Sequence, residues 1–109
     1  MKRKYDLYVK DILEAITKIR EYTKEYTYKQ FINDQKTVDA TIRNFEIIGE
    51  AINQIPEFVR TKNPAIPWKH VRSFRNLIVN KYWRIDTEIL WDIITNKLTD
   101  LEEEMKKIQ

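Results

Sequence analysis

The sequence predicts an all-α protein, folded as an antiparallel bundle of four to five helices. Apolar residues recur every three or four positions along most of the chain, which is the period of an α-helix. Long segments are uninterrupted, because there is one glycine and all three prolines fall between positions 56 and 67. The connections between these segments are short, which favours antiparallel neighbours.

The first two predicted helices differ in the clarity of their pattern. The first is amphipathic, and its apolar stripe consists of Tyr5, Tyr8, Ile12, Ala15, Ile16, Ile19 and Tyr22. Residues 23–30 mix threonine, tyrosine and charge without a clear period, so we expect a turn there. One further helical turn is predicted around residues 28–32.

The third predicted helix begins after Asp34, whose carboxylate can accept hydrogen bonds from the unpaired N–H groups of the first turn. It ends at Pro56, and its apolar stripe consists of Val38, Ile42, Phe45, Ile48, Ile52 and Ile55. Gly49 lies in the middle, where a glycine costs about 1 kcal/mol relative to alanine. A glycine at such a position indicates a close approach by another helix.

A linker with one short turn, residues 56–64, separates these helices from the last two. Pro67 suits the first position of a helix that runs to about Asn80. Asp86 is the predicted N-cap of the final helix, whose inward residues are Ile89, Leu90, Ile93, Ile94, Leu98, Leu101, Met105 and Ile108. The spacing of Thr99 and Glu102 is that of a capping box, so we expect this helix to kink or restart near Lys97.

The composition excludes several classes of protein. A chain of 109 residues forms one domain, residues 1–109, with one core. The absence of cysteine excludes disulfides and thiol catalysis, and a single histidine excludes the histidine clusters of most transition-metal sites. One glycine cannot form a phosphate-binding glycine loop. We therefore expect neither a metal nor a cofactor.

The sequence also bears on location and partners. It contains no apolar run approaching the roughly 20 residues that cross a bilayer, and no signal peptide follows Met1. The formal net charge is +3 and charged residues make up 34% of the chain, which is compatible with nucleic-acid binding. We expect a cytoplasmic protein that does not associate with membranes.

The segment from Arg75 to Tyr82 places a guanidinium, two carboxamides and a phenol along about two helical turns. On an ideal helix Tyr82 lies about 20° from Arg75, while Asn76 and Asn80 form a neighbouring stripe. Arginine can bind phosphate through two N–H donors, and asparagine can orient a ribose hydroxyl or a phosphate oxygen. In a simpler interpretation, Asn80 ends the helix in the left-handed conformation and Arg75 forms a surface ion pair.

The pattern Arg75-Asn76-x-x-x-Asn80-x-Tyr82 resembles the signature of the HepT-like branch of the HEPN superfamily. The family pattern is arginine, a polar residue, three further residues, histidine, one residue and tyrosine. The similarity covers nearly the whole chain. It extends to Ile47-Ile48-Gly49-Glu50-Ala51, to Ile66-Pro67-Trp68 and to the helix that begins Asp86-x-x-Ile89-x-Trp91.

This resemblance implies a small helical toxin that cleaves single-stranded RNA without a metal. It also implies a homodimer, in which two motif helices meet to form the active cleft, and a nucleotidyltransferase antitoxin as partner. By position, Arg75 would bind the scissile phosphate and Asn76 would orient the substrate. Lys81 and Tyr82 would contribute to RNA binding. Tyr82 also matches the tyrosine that the antitoxin adenylylates.

The chain departs from the family at Asn80, which occupies the position of the family's catalytic histidine. Histidine, with an ordinary pKa near 6.5, can move a proton from the ribose 2′-hydroxyl to the leaving oxygen, and a carboxamide cannot. General acid–base catalysis typically contributes about 10²–10⁴-fold, so we expect a weakened or inactive site. His70 lies about 140° from Arg75 on an ideal helix, and we expect it to be a surface or packing residue. Lys81 would supply only charge.

Two other groups of residues are weaker candidates. Glu46 and Glu50 could hold a cation, although an ion pair or hydrogen bond with Arg43 or Asn44 is the stronger interpretation. Three tyrosines are interleaved with basic residues between positions 20 and 29: Tyr22, Tyr26 and Tyr28 with Arg20, Lys24 and Lys29. They form either a stacking surface for single-stranded RNA or ordinary helix edges. The tryptophans are expected in the core or at an interface, with Trp83 the best interface candidate among Trp68, Trp83 and Trp91.

Three hypotheses about function follow. The first is a toxin subunit, a metal-independent endoribonuclease weakened by Asn80 and neutralised by a nucleotidyltransferase antitoxin. The second is a non-catalytic subunit that binds RNA or a nucleotide through Arg75 and docks the nucleotidyltransferase. The third is a plain helical dimer without an active cleft.

Overall fold

The structure, a computed structural model, describes residues 4–81 and 86–109. These residues form α-helices and one π-helical turn without any β-strand, which confirms the predicted all-α class. No helix in this part of the chain is long and apolar enough to cross a membrane. The elements are α1 (Lys4–Thr23), α2 (Tyr28–Ile32), α3 (Gln35–Gln54), α4 (Glu57–Lys62), α5 (Trp68–Asn80), α6 (Thr87–Asp92), the π-helical turn (Ile93–Lys97) and α7 (Leu98–Lys106).

Four longer elements build the core. α1 packs along α3, α3 packs against α5, and α7 contacts both α1 and α5. The predicted apolar stripes point into this core, although Tyr8, Ile42, Ile89 and Ile108 are only half-buried and Tyr22 is exposed. The largest fully buried side chains are Phe31, Phe45, Ile12, Ile16, Ile19, Ile48, Leu90, Ile93, Leu98, Leu101 and Met105.

The starts of α2, α3 and α6 have side-chain caps. Asp34 accepts a hydrogen bond from the Thr37 backbone N–H at 3.2 Å, and Asp86 accepts one from Glu88 at 2.9 Å, as predicted for both N-caps. α2 begins with a capping box between Thr27 and Gln30. Each cap satisfies N–H groups that would otherwise lack a partner in the first helical turn.

The final helical segment does restart near Lys97, but by a different device from the one predicted. A π-helical turn, Ile93–Lys97, joins α6 to α7, which begins at Leu98. The predicted capping box at Thr99 is wrong, because the Thr99 hydroxyl accepts a hydrogen bond from Arg20 instead. Apolar residues on both sides of the π-helical turn, Leu90 and Leu98, lie inside the core.

The linker holds α5 in place through a buried asparagine. The short turn expected there is α4. α5 begins at Trp68, so Pro67 is its N-cap and not, as predicted, its first helical residue. The Asn63 carbonyl accepts a hydrogen bond from the Trp68 indole at 2.9 Å, and its side chain accepts one from the Gln109 backbone at 3.0 Å. The start of α5 is therefore tied to α4 and to residue 109.

Candidate active site

α5 lies close to α3 because of Gly49. A Cβ atom built at this position would lie 3.2 Å from Ile78 Cγ2, a contact closer than side chains normally make. The close approach predicted from the mid-helix glycine is therefore confirmed. Val71, Phe74 and Ile78 form the buried stripe of α5, and this stripe fixes which of its side chains lie on the flanks and which point outward.

Arg75 lies half-buried on one flank of α5. Its Nη1 is 3.4 Å from Asn76 Oδ1, a long hydrogen bond, and its Nε is buried without a hydrogen-bond partner. Within the described parts of the chain, no carboxylate oxygen lies within 4.0 Å of this guanidinium. The surface ion pair considered for Arg75 is therefore absent there, and the guanidinium can accept a phosphate as its partner.

Asn76 and Asn80 are both exposed on α5, as expected for residues that would contact a substrate. Asn80 is the last residue of the helix and keeps helical geometry, so the simpler interpretation, in which it adopts the left-handed conformation, is wrong. The exposed Lys81 adopts that conformation instead, with φ 59° and ψ 21°. The left-handed conformation of Lys81 ends the right-handed helix. A left-handed helix could not continue from it, because each L-residue in that conformation costs about 1–2 kcal/mol.

Two predictions fall on residues outside the described ranges. Tyr82, the expected site of adenylylation and a contributor to RNA binding, follows directly after Lys81 in the sequence. Trp83, the expected interface residue, also lies outside them. Both assignments stay predictions.

His70 takes part in a contact within the chain and lies apart from Arg75. Its Nδ1 is 2.7 Å from Oε2 of Glu104 on α7. The Glu104 side chain is only 8% exposed, and its second oxygen, Oε1, is buried without a hydrogen-bond partner. A buried carboxylate requires such a partner, and the His70 side chain itself is 49% exposed, so His70 is a surface residue that also packs against Glu104, as expected.

A cavity of about 200 Å³ adjoins Arg75. Two further arginines, Arg60 from α4 and Arg72 from α5, also line it, and sequence reasoning missed both as functional residues. The spacing of Arg72 and Arg75, three residues apart on one helix, was the available signal. Nothing in the sequence pointed to Arg60, because its position depends on how the linker folds. The other lining residues are Ile52, Asn53, Ile55, Trp68 and Val71.

The carboxylates of α3 do not form the predicted contacts. Glu46 and Glu50 are exposed, and the described residues contain no group of three or more side chains that could hold a metal ion. The ion pair expected with Arg43 does not form within 4.0 Å in these ranges. The Asn44 side chain donates to the Ala40 carbonyl at 2.9 Å instead of to a glutamate.

Packing explains most of the tyrosine-rich segment. The Tyr26 hydroxyl donates to Asp34 at 2.6 Å, which lowers the pKa of Asp34 and raises that of Tyr26. Tyr28 shares a 2.6 Å hydrogen bond with Thr87. These contacts favour ordinary helix edges over a stacking surface for RNA.

Arg20, the basic residue of that segment nearest the core, also has a partner. Its Nη1 is 2.7 Å from Glu102 Oε1, and Nη2 donates to the Thr99 hydroxyl at 3.0 Å. The hydrogen bond from Arg20 is the main cause of a lowered pKa at Glu102. Lys106 adds a weaker contact with Glu102 at 3.8 Å.

Comparison with known proteins gives a consistent family. The profile of the family described as "Ribonuclease HepT-like" matches residues 12–108. The protein of Thermococcus cleftensis named "Probable ribonuclease HepT" is 36% identical over 109 residues, covering 100% of this chain and 99% of the relative. No solved structure matches the chain significantly.

Two proteins of Methanocaldococcus jannaschii are also similar. One, named as a putative RNase, is 39% identical over 103 residues, which are 91% of this chain and 85% of the relative. The other, named as a gamma-glutamylcyclotransferase and putative RNase, is 38% identical over 108 residues, which are 99% of this chain and 49% of that relative. The sequence pattern, the helical fold and these matches agree, and the chain belongs to the ribonuclease HepT-like family of the HEPN superfamily.

Proposed function

We propose that this chain is the toxin of a toxin–antitoxin pair and cleaves single-stranded RNA without a metal ion. The observation that carries the proposal is the half-buried Arg75 guanidinium, which has only a long hydrogen bond to Asn76 and no carboxylate within 4.0 Å among the described residues. Arginine in this state suits a phosphodiester, whose oxygens match its N–H donors. Relatives named as ribonucleases support RNA as the substrate.

In the proposed reaction, the ribose 2′-oxygen attacks the adjacent phosphorus and the bond to the 5′-oxygen of the next nucleotide breaks. The proton of the 2′-hydroxyl is transferred to that 5′-oxygen, so the products carry a 2′,3′-cyclic phosphate and a 5′-hydroxyl. Arg75 stabilises the additional negative charge on the phosphate in the transition state. Asn76 and Asn80 orient the substrate through their carboxamides.

Asn80 makes the proposed enzyme slow. A carboxamide does not exchange protons near neutral pH, so solvent must carry the proton between the two oxygens. The missing general acid–base step accounts for about 10²–10⁴-fold in rate. Charge stabilisation and substrate positioning supply what remains, as they do in enzymes that have lost a member of a catalytic triad.

The proposal includes the partners that the family resemblance implies. Residues 1–109 act in the cytoplasm as one domain within a homodimer, in which the two copies of α5 form the cleft. A nucleotidyltransferase antitoxin neutralises the toxin by adenylylating Tyr82. Co-expression with a nucleotidyltransferase encoded beside this chain should add one adenylyl group to the intact mass, and Tyr82→Phe should remove this addition. An unmodified wild-type chain would contradict this regulation.

A second candidate function is a non-catalytic subunit that binds RNA or a nucleotide and docks the nucleotidyltransferase. Asn80 favours it, because this residue leaves the motif without a proton carrier. The two candidates differ in whether RNA is cut, since both require Arg75 for binding.

The deciding experiment incubates the purified chain with single-stranded RNA and a chelator. We expect slow cleavage that ends in 2′,3′-cyclic phosphates and is lost in Arg75→Ala. Arg43→Ala is the matched control, because it removes the same charge from an exposed position on α3 outside the arginine-lined cavity. Cleavage that persists in Arg75→Ala, or no cleavage at any enzyme concentration, would contradict the nuclease.

A further inference from the structure

The cavity beside Arg75, here called the arginine pocket, combines residues from three elements. Arg60 comes from α4, Arg72 and Arg75 come from α5, and Asn53 comes from the end of α3. None of its eight lining residues is acidic. The fold therefore gathers three positive charges from two helices around one space of about 200 Å³.

The three guanidinium groups have no carboxylate partner within 4.0 Å in the described ranges. Like charges gathered in this way repel one another unless an anion or solvent offsets them. Solvent alone is a poor explanation for Arg75, because its Nε is shielded from water and lacks a hydrogen-bond partner. A buried polar group in that state costs about 1–3 kcal/mol. An anion in the pocket would offset the repulsion among the three guanidinium groups.

The size and walls of the pocket restrict the anion. Its volume equals the space of roughly six water molecules. That suits a phosphate group with part of a sugar and is less than the roughly 300 Å³ at which pockets for drug-sized molecules begin. Trp68 forms a fixed wall, because its indole N–H is already donated to the Asn63 carbonyl. Asn53 is exposed and can hydrogen-bond a sugar hydroxyl or a phosphate oxygen.

We propose that the arginine pocket binds the RNA phosphodiester next to the one that is cleaved, with Arg60 and Arg72 as substrate-positioning residues. This inference rests on the proposed function, because Arg75 is shared between the pocket and the scissile phosphate. Arg60 and Arg72 hold the neighbouring phosphate and thereby fix the register of the strand. Their contribution is to binding and register, whereas Arg75 acts on the reacting phosphate.

The test measures binding without cleavage. A short single-stranded RNA whose 2′-hydroxyls are methylated cannot be cut by attack of the 2′-oxygen, and fluorescence anisotropy reports its affinity. Arg60→Gln and Arg72→Gln should each raise Kd roughly tenfold, the loss expected for a charge-assisted hydrogen bond. Each should also reduce the slope of log K against log salt by about 0.7, the value for one phosphate contact on a single strand.

Arg43→Gln serves as the matched control, because it makes the same change in charge at an exposed position outside the pocket. Its Kd should stay within about twofold of wild type. Arg60→Lys and Arg72→Lys keep the charge but lose the forked donors, so they should give intermediate affinities and provide a reading if a glutamine variant folds poorly. Wild-type affinity in both folded glutamine variants, or an equal loss in Arg43→Gln, would overturn the proposal.

Competition with adenosine monophosphate tests whether the pocket binds a phosphate within an RNA strand or the phosphate of a free nucleotide. If the pocket holds a strand, adenosine monophosphate should fail to displace the methylated RNA when its concentration is near the Kd of that RNA. Displacement that is weakened in Arg60→Gln and Arg72→Gln would overturn the strand assignment and indicate a nucleotide pocket.

Cleavage kinetics distinguish failure of this inference from failure of the proposed function. With unmodified RNA, Arg60→Gln and Arg72→Gln should raise KM more than they lower kcat, whereas Arg75→Ala should lower kcat. If wild-type protein binds the methylated RNA through Arg60 and Arg72 but never cuts RNA, the proposed nuclease function is contradicted. The proposal that the pocket binds an RNA phosphate then still stands. Cleavage with unchanged KM in both glutamine variants contradicts the pocket alone.

Discussion

The two flanks of α5 carry positive or titratable side chains in opposite surroundings. On one flank, Arg72 and Arg75 line the arginine pocket without a carboxylate within 4.0 Å among the described residues. On the other, His70 is 2.7 Å from Glu104, a carboxylate that α7 holds almost fully buried. Among the described residues, one helix therefore presents both arginines without a carboxylate partner and a histidine that already contacts a buried carboxylate.

The difference teaches that residue type alone is a poor guide to catalysis in this chain. His70, the only histidine, is chemically the best proton carrier, yet its ring nitrogen is occupied in holding a buried carboxylate. The arginines cannot carry protons near neutral pH, but their lack of partners suits them to bind phosphate. We infer that the arginine flank serves the substrate and the histidine flank serves the fold.

The largest expected effect comes from giving the arginine flank a proton carrier. Asn80→His should raise the rate of RNA cleavage by about 10²-fold or more, because histidine restores general acid–base catalysis at the end of α5. Single-turnover cleavage rates measure this, and Asn80→Gln is the control that keeps a carboxamide. An unchanged rate in Asn80→His would show that Asn80 does not lie in the catalytic position.

The position of α5 itself can be disturbed through Gly49. Gly49→Leu should lower the free energy of unfolding by about 1–3 kcal/mol, because the added atoms would meet Ile78 in a filled core. Urea denaturation measures this loss, and Glu46→Leu at an exposed position of the same helix is the control. Equal stability of Gly49→Leu and wild type would contradict the close approach of α3 and α5.

On the histidine flank, substitution of His70 should lower the stability of the fold. His70→Ala should lower the free energy of unfolding by about 1–3 kcal/mol, because Glu104 would lose its hydrogen-bond partner while remaining buried. His70→Gln should lose less, since its amide can still donate to the carboxylate. If His70→Ala has wild-type stability in urea denaturation, the contact with Glu104 does not support the fold.

The smallest effect concerns Arg20, an arginine that does have a carboxylate partner. Arg20→Gln should cost less than about 1 kcal/mol, because its ion pair with Glu102 is partly exposed. The pKa of Glu102 is lowered in the folded state, so its stabilising contribution is complete above the ordinary glutamate pKa of about 4.3 and is lost as pH falls through the lowered value.

The difference in stability between wild type and Arg20→Gln should therefore shrink as the pH falls from about 5 to about 3. Urea denaturation at a series of pH values measures it. Lys106→Gln is a useful control, because Lys106 is 3.8 Å from Glu102 and should show a smaller change. A difference that grows with acidity would contradict the assigned role of Arg20. RNA binding should be unaffected in Arg20→Gln.

Local signals in the sequence predicted local structure well. The caps at Asp34 and Asp86 depend on residues two or three positions away, so their spacing alone reveals them. Gly49 indicated the close approach of a helix without identifying it, since the contact with Ile78 joins residues far apart in sequence. Periodicity gave the apolar stripes and hence the all-α class.

Contacts between distant residues could not be predicted. His70 meets Glu104 across 34 positions, and Arg60 of α4 lines the same cavity as Arg72 and Arg75 only through the folding of the linker. One interpretation had the left-handed residue at Asn80, because asparagine tolerates that conformation better than most residues, but the structure has it at Lys81. The backbone geometry at a helix end depends on where the following chain must go, which residue preference does not specify.

One comparison tests the central claim most directly. The rate of cleavage of single-stranded RNA in the presence of a chelator is measured side by side for wild type, Arg75→Gln and His70→Gln, with folding checked by circular dichroism. We expect cleavage to be lost in Arg75→Gln and to remain near the wild-type rate in His70→Gln. Loss of cleavage in a folded His70→Gln, with Arg75→Gln still active, would contradict the division of α5 into a substrate flank and a structural flank.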